Sequence, residues 1–390
     1  MEPNDSTDEF SCGRLKGARL VGEFRRLLAD ELDKREPGTI DKSESDPRRR
    51  IFADNYFSAL LLAYYNPVLS SARAIVGASK NSATVREALG CDSPLSLGSF
   101  SEAQHLFDSE LLLGVIRSLR DRLKAPGSAD ANPQLADFVN RIAAVDSTFF
   151  EALPRMQWAV YRTKSETKRI RLHLIFNVLD GSIEDAAVTP AAACERRTLV
   201  PRLEAGRLYC GDRYYGLDYG YFERFRQAGA DALIRVRDEP LFTVLEDNEL
   251  SAEALAYGVL ADQTIVLGPE GSGHPPLRLI TLQREGRLIR LATTLTDADA
   301  VELCMLYRYR WEIETFFKWL KVILGTRGFL GESRNAVTAQ LYAALIMALL
   351  LSAFTGKRPT KRQMEAIQLF QMGWMTSEEL AQALNLKKSD

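Results

Sequence analysis

The stretch Tyr307-Arg308-Tyr309-Arg310-Trp311-Glu312-Ile313-Glu314-Thr315-Phe316-Phe317-Lys318-Trp319-Leu320-Lys321 decides how the chain reads. At about 100° per residue, Tyr307, Arg310, Glu314 and Lys321 fall on one helical stripe about 60° wide. Ile313, Phe316, Phe317, Leu320, Ile323 and Leu324 fall on a separate apolar arc, which predicts packing against a core. The first stripe sets one carboxylate among two cations and a phenol. A carboxylate holds a metal ion, and Arg and Lys hold phosphates beside it. A solvated helix face with an i,i+4 Arg–Glu pair is the plainer alternative. The upstream sequence argues against it.

Ile142-Ala143-Ala144-Val145 is a short apolar run that ends in Asp146-Ser147-Thr148. Such runs read as buried central strands, with Asp146 where the chain leaves the sheet. Arg207-Leu208-Tyr209-Cys210-Gly211-Asp212-Arg213-Tyr214 repeats the pattern with Asp212. Catalytic carboxylates of α/β sheets gather at strand ends, where rigid strands fix them and exposed loops admit substrate. Either aspartate alone reads equally as a cap or turn residue. Three carboxylates with no Cys/His cluster suit hard, oxygen-binding cations such as Mg²⁺ or Mn²⁺. Two such ions roughly 3.5–4 Å apart clamp the oxygens of a phosphoryl displacement, which points to a nucleic-acid or nucleotide substrate.

Tyr307-x2-Arg310-x3-Glu314-x6-Lys321 resembles the Tyr-Arg-Glu-Lys signature of bacterial DDE transposases related to insertion sequence four and the composite transposon five. Ala144-Val145-Asp146-Ser147-Thr148 resembles that family's first catalytic strand, and Leu208 to Tyr215 its second. Gly328 to Val337, with Gln340 and Leu341, resembles its downstream helix. The resemblance spans roughly Asn140 to Phe354. Tyr214 departs from it, because the family often has Gly there and a bulky residue resists positive φ.

The resemblance implies an α/β fold: an RNase H-like mixed sheet with flanking helices, a β-rich insertion before the glutamate helix, and a helical N-terminal domain. It implies that Asp146, Asp212 and Glu314 bind two Mg²⁺ ions, with Mn²⁺ as a substitute, and that Tyr307, Arg310 and Lys321 contact DNA. It implies cut-and-paste action on the element's inverted repeats and on target DNA, by a homodimer in the DNA complex. A domesticated DNA-binding descendant, or an RNase H-like nuclease that cuts without joining, stands as the alternative.

Spacing agrees with an insertion. Asp212 and Glu314 are 102 residues apart, too far for a plain strand–helix link. Gln263 to Gly268 reads as a strand, and Leu277–Leu282 with Leu288–Thr293 as a hairpin about Glu285-Gly286. Gly268 to Pro276 reads as a loop. The expected segments are 1–132 (helical), 133–237 with 300–355 (catalytic core), 238–299 (insertion) and 356–390 (helical); the resemblance implies DNA-end binding for the first and dimerisation for the last.

Composition narrows the class. The 390 residues are 46% hydrophobic, enough for a sizeable core and more than one domain. Five scattered cysteines, among them Cys12, argue against zinc and disulfides and fit a reducing bacterial cytoplasm. The N-terminus shows no signal-peptide pattern. His173 sits in a strand-like run and reads as packed. Leu341 to Phe354 reads as a buried core helix, too short to span a bilayer. The net charge of −2 places any DNA contact on local patches. Basic clusters lie at Arg48–Arg50, at Arg162, Lys164, Lys168, Arg169 and Arg171, and at Lys357, Arg358, Lys361 and Arg362.

Upstream, Val21–Leu32, Ile51–Tyr65 and Glu102–Leu123 carry helical periodicity. Capping boxes read at Thr84-x-x-Glu87, Ser99-x-x-Glu102 and Thr376-x-x-Glu379. Short helices about the Cys91–Ser96 turn form either a helix-turn-helix or part of a plain bundle. Pro37–Asp46 reads as a loop and Gly127–Pro133 as a linker.

Overall fold

The computed structural model describes residues 15, 17–36, 44, 46–66, 68–123, 133–161, 167–324, 329–356 and 358–385. Cys12, most of the loop from Pro37, the linker around Gly127, Arg162, Lys164, Gly328 and Lys357 lie outside them, as do the side chains of Ile323 and Leu324. Contacts divide the chain into two compact units. One is Met1–Leu123, Leu153–Trp158 and Lys318–Asp390; the other is Lys124–Ala152 and Ala159–Phe317.

The first unit begins with α1 (Gly17–Asp33), α2 (Ala53–Tyr65), α3 (Ala72–Asn81), α4 (Ala83–Leu89), α5 (Leu97–Leu106) and α6 (Leu111–Leu123). The single helix expected over Glu102–Leu123 is two. Asn335 explains the break. Its amide donates to the carbonyls of Gln104 (3.0 Å) and Phe107 (2.7 Å), and its oxygen accepts from the Ser109 amide (2.9 Å). One side chain thus satisfies backbone groups that both helix ends would leave open. The caps also move upstream of the expected boxes: Ser82 caps α4 and Ser96 caps α5. Among the basic residues, Arg48 pairs with Asp46 and Arg49 with Glu102.

The second unit is built on a sheet. β1 (Ile142–Glu151), β2 (Arg169–Phe176) and β3 (Ile183–Pro190) form an antiparallel meander. After α7 (Glu195–Leu199), β4 (Leu208–Gly211) pairs parallel with β1. After α8 (Tyr221–Gln227), β5 (Asp231–Arg235) pairs parallel with β4. This order, with the first three strands antiparallel and the next two parallel to β1, is the RNase H-like sheet that the resemblance implied. Ile142–Val145 and Leu208–Gly211 are buried throughout, as central strands covered on both faces require.

The inserted residues do not form a separate layer. β6 (Phe242–Asp247), α9 (Ala252–Tyr257), β7 (Val259–Leu267), β8 (Leu277–Arg284) and β9 (Arg287–Thr293) follow, and β9 pairs antiparallel with β5. One nine-stranded sheet results, in the order β3-β2-β1-β4-β5-β9-β8-β7-β6. The β8–β9 turn is the expected one: Glu285 and Gly286 both have positive φ (50° and 73°), as a type I′ hairpin demands. β6 was not foreseen. It is an edge strand whose residues are mostly exposed, so no alternation marks it.

The decisive stretch is not one continuous helix. α10 (Ala300–Tyr309) and α11 (Trp311–Leu324) meet at Arg310. There the bonds tighten to three-residue spacing, Arg310 N to Tyr307 O and Ile313 N to Arg310 O, both 3.2 Å. The apolar arc is as expected at Ile313, Phe316, Phe317 and Leu320, all buried.

The first unit resumes with α12 (Arg334–Thr355), α13 (Lys361–Gln371) and α14 (Ser377–Leu384). The buried core helix read over Leu341–Phe354 is longer than expected. Its 22 residues are long and apolar enough to cross a membrane, but Ala336–Leu351 are buried within the protein, against α2 and α6. α12 groups with the N-terminal helices, although the sequence reading drew it with the catalytic segment. Thr376 and Glu379 form the expected capping box of α14.

Candidate active site

Parallel pairing brings two of the three carboxylates together. Ala144 faces Cys210 and Val145 faces Gly211 in the β1–β4 ladder. Asp146 and Asp212 are the next residues on strands roughly 4.8 Å apart. β4 stops at Gly211, whereas β1 runs five residues past Asp146 against β2. The chain therefore leaves the sheet at Asp212 and not, as expected, at Asp146.

The turn after Asp212 is held on three sides. The Asp212 carboxylate accepts from Tyr214 N (2.9 Å), and its carbonyl from Tyr215 N (3.2 Å). Gly216 packs so closely on β5 that a Cβ there would lie 2.5 Å from the Arg235 carbonyl oxygen. Tyr214 has φ −65°, so its bulk costs nothing where the sequence suggested strain.

Glu314 lies on α11, four residues past Arg310. The Arg310 guanidinium donates to Glu314 at 2.8 Å and stands 3.8 Å from Asp146. One buried cation thus touches carboxylates from a strand and a helix. Arg310 itself is 5% exposed, so the plainer alternative of a solvated helix face does not hold there. Tyr307 is buried as well, and burial pushes its phenol up to about 12. Lys321 is exposed, further along α11.

Burial pushes the Asp146 carboxyl up to about 7, and the neighbouring Asp212 charge adds to the shift. The Ser147 amide (2.7 Å) and Arg310 oppose it. Among the described residues, no three Asp, Glu, His or Cys side chains are close enough to close a metal site. The donors of the two aspartates are oxygens alone, which fits a hard cation at Asp146 and Asp212. The Glu314 carboxylate is turned to Arg310.

Sequence reasoning missed Glu195. It opens α7 and pairs with Arg171 of β2, and both are largely buried. Burial raises its pKa, and Arg171 and the nearby Ser147 and Tyr215 hydroxyls oppose the shift. Arg171 was read only as part of a basic cluster, and Arg169 of that cluster pairs with Glu151. His173 is packed as expected: it is buried beside Thr189 (2.8 Å), and burial pushes its imidazole down to about 3.

A cavity of about 620 Å³ opens beside Arg310, between the β8–β9 hairpin and the α10–α11 junction. Arg235, Arg284, Arg287 and Arg308 line it with Tyr307, Tyr309 and Trp311. Trp311 is 56% exposed. Glu285 and Glu312 line the cavity too; its guanidinium groups and the exposed Trp311 ring suit the phosphates and bases of a nucleic-acid strand.

The mixed sheet is the RNase H-like fold of a DDE transposase, and comparison with known proteins shows that family. The profile of the family described as "Transposase DDE domain" matches residues 137–351, and the chain belongs to that family. It is 29% identical over 221 residues to "Putative transposase y4zB" of Sinorhizobium fredii, covering 53% of this chain and 59% of that protein. It is 28% identical over 218 residues to "Probable transposase for insertion sequence element IS5377" of Geobacillus stearothermophilus, covering 55% and 56%. The chain thus spans a little over half the length of these relatives.

Proposed function

We propose that the protein is the transposase of a mobile DNA element, cutting at the element's ends and joining them to target DNA. The adjacency of Asp146 and Asp212 across the parallel β1–β4 ladder carries this reading. Asp146, Asp212 and Glu314 are the ligands of two divalent cations, Mg²⁺ with Mn²⁺ as a substitute. Such ions neutralise the scissile phosphate and activate the attacking oxygen.

A water oxygen bonds to phosphorus at the element's end, and the bond from phosphorus to the 3′ oxygen breaks. The resulting 3′-hydroxyl then attacks a phosphodiester of the opposite strand or the target. Each bond formed replaces one of the same kind, so no outside energy source is needed. Tyr307 and Arg310, at the cavity, and Lys321, along α11, hold the end phosphates. A phosphate in the cavity competes with Glu314 for the Arg310 guanidinium and so frees the carboxylate. Residues 1–132 recognise the ends, and 356–390 support pairing of two copies in the DNA complex.

The test is cleavage of a duplex carrying the inverted repeats that flank the coding sequence, with Mg²⁺. The wild type releases 3′-hydroxyl ends and joined products, and Glu314→Ala loses at least about a thousandfold in rate while still binding the ends. Glu314→Ala cleaving at the wild-type rate overturns the assignment. In the same series, Lys321→Ala flattens the salt dependence of end binding by about one unit, and an unchanged slope removes Lys321 from the DNA contact.

A further inference from the structure

The reading above leaves the buried Glu195–Arg171 pair unused. Glu195 lies beyond β3, Arg171 on β2, Ser147 on β1 beside Asp146, and Tyr215 three residues past Asp212. The Glu195 carboxylate pairs with Arg171, and Glu195 lines one small cavity together with Asp146 and Tyr215. The side chains of Arg171 and Glu195 are only 11% and 14% exposed. Arg171 is fixed from its other side by the Phe149 ring, 4.4 Å from the guanidinium carbon. Glu195 therefore stands between the strand that carries Asp146 and the turn that carries Asp212.

Charge gives the pair a second effect. Asp146, Asp212, Glu195 and Glu314 face two buried guanidinium groups, Arg171 and Arg310. Glu195 pairs with Arg171, and Glu314 pairs with one guanidinium nitrogen of Arg310. The negative charge left over lies on Asp146 and Asp212. Without Glu195, Arg171 becomes a bare cation behind them, opposing any cation in front.

We propose that Glu195 is a positioning residue of the active site, setting the approach of Asp146 to Asp212 and neutralising Arg171 so that the aspartates bind a divalent cation. This rests on the reading that Asp146 and Asp212 are cation ligands. Neither residue of the pair touches the reacting atoms.

The test is Mn²⁺ binding to the full chain without DNA, followed by the spin-resonance signal of free Mn²⁺, with thermal unfolding run alongside. Glu195→Gln weakens Mn²⁺ binding by about tenfold or more. Glu195→Gln with Arg171→Gln, which removes both charges, returns most of that loss. Tyr215→Phe, which deletes one hydroxyl and no charge, weakens binding about two- to threefold and serves if the single glutamine variant fails to fold. Unchanged binding in Glu195→Gln, or in Tyr215→Phe where the glutamine variant does not fold, overturns the proposal. So does a double variant as weak as the single one, since Glu195 is then itself a ligand. Asp146→Ala separates the two readings: if it binds Mn²⁺ as the wild type does, the cation assignment fails and not the role of Glu195 alone.

Discussion

Asp262 and Asp146 are both shielded aspartates of one sheet facing an arginine, yet their surroundings differ. Asp262 of β7 is 4% exposed and meets Arg278 of β8 through two guanidinium nitrogens, at 2.9 and 2.6 Å. Asn248 donates to it at 2.9 Å, and Arg278 spends its remaining hydrogens on the carbonyls of Thr296 and Ala298. One acid balances one cation, and the polar groups are satisfied. Asp146 receives one backbone amide, stands 3.8 Å from a guanidinium committed to Glu314, and has Asp212 beside it. The first arrangement holds strands together. The second keeps unbalanced negative charge at a sheet end, which stability alone does not reward. Charge balance, more than burial, separates these two carboxylates.

Breaking the balanced pair has the larger effect on stability. Asp262→Ala leaves Arg278 buried without its carboxylate and costs about 3–5 kcal/mol in denaturant unfolding. A loss below about 1 kcal/mol would equate this pair with a surface ion pair and dissolve the contrast.

Neutralising the unbalanced aspartate has the opposite sign. The Asp146 carboxyl titrates near 7 in the folded chain against an ordinary 3.8. Between those values the folded chain keeps a proton that the unfolded chain has shed, so stability falls as pH rises through that window. Asp146→Asn, without divalent cations, therefore stabilises the protein by roughly 2–4 kcal/mol above about pH 7. The gain vanishes below about pH 4. Melting temperatures of the two proteins across pH measure it. A destabilised Asp146→Asn protein at pH 8 would mean that the carboxylate supports the fold.

The sequence made part of this legible. Asp146 and Asp212 stand at the ends of apolar runs, and such runs are buried strands wherever a sheet is covered on both faces. Glu285-Gly286 marks its turn because both residues tolerate positive φ. Other features depend on partners remote in sequence. The break at Arg310 has no Pro or Gly to signal it, and helical periodicity runs unbroken through Tyr309-Arg310-Trp311. The gap between α5 and α6 is set by Asn335, 226 residues from Ser109. Glu195 sits in Cys194-Glu195-Arg196-Arg197, which reads as an ordinary charged turn. Only the sheet brings Arg171, Ser147 and Tyr215 to it.

The central claim is that Asp146 and Asp212 hold the metal used to cleave DNA, and Asp212→Cys tests it most directly. Thiolate binds Mg²⁺ poorly and Mn²⁺ better. The measurement is the cleavage rate of end-bearing DNA by this variant in each ion, relative to the wild type. The account predicts no cleavage in Mg²⁺ and substantial recovery in Mn²⁺. Cleavage in Mg²⁺ at the wild-type rate would contradict it.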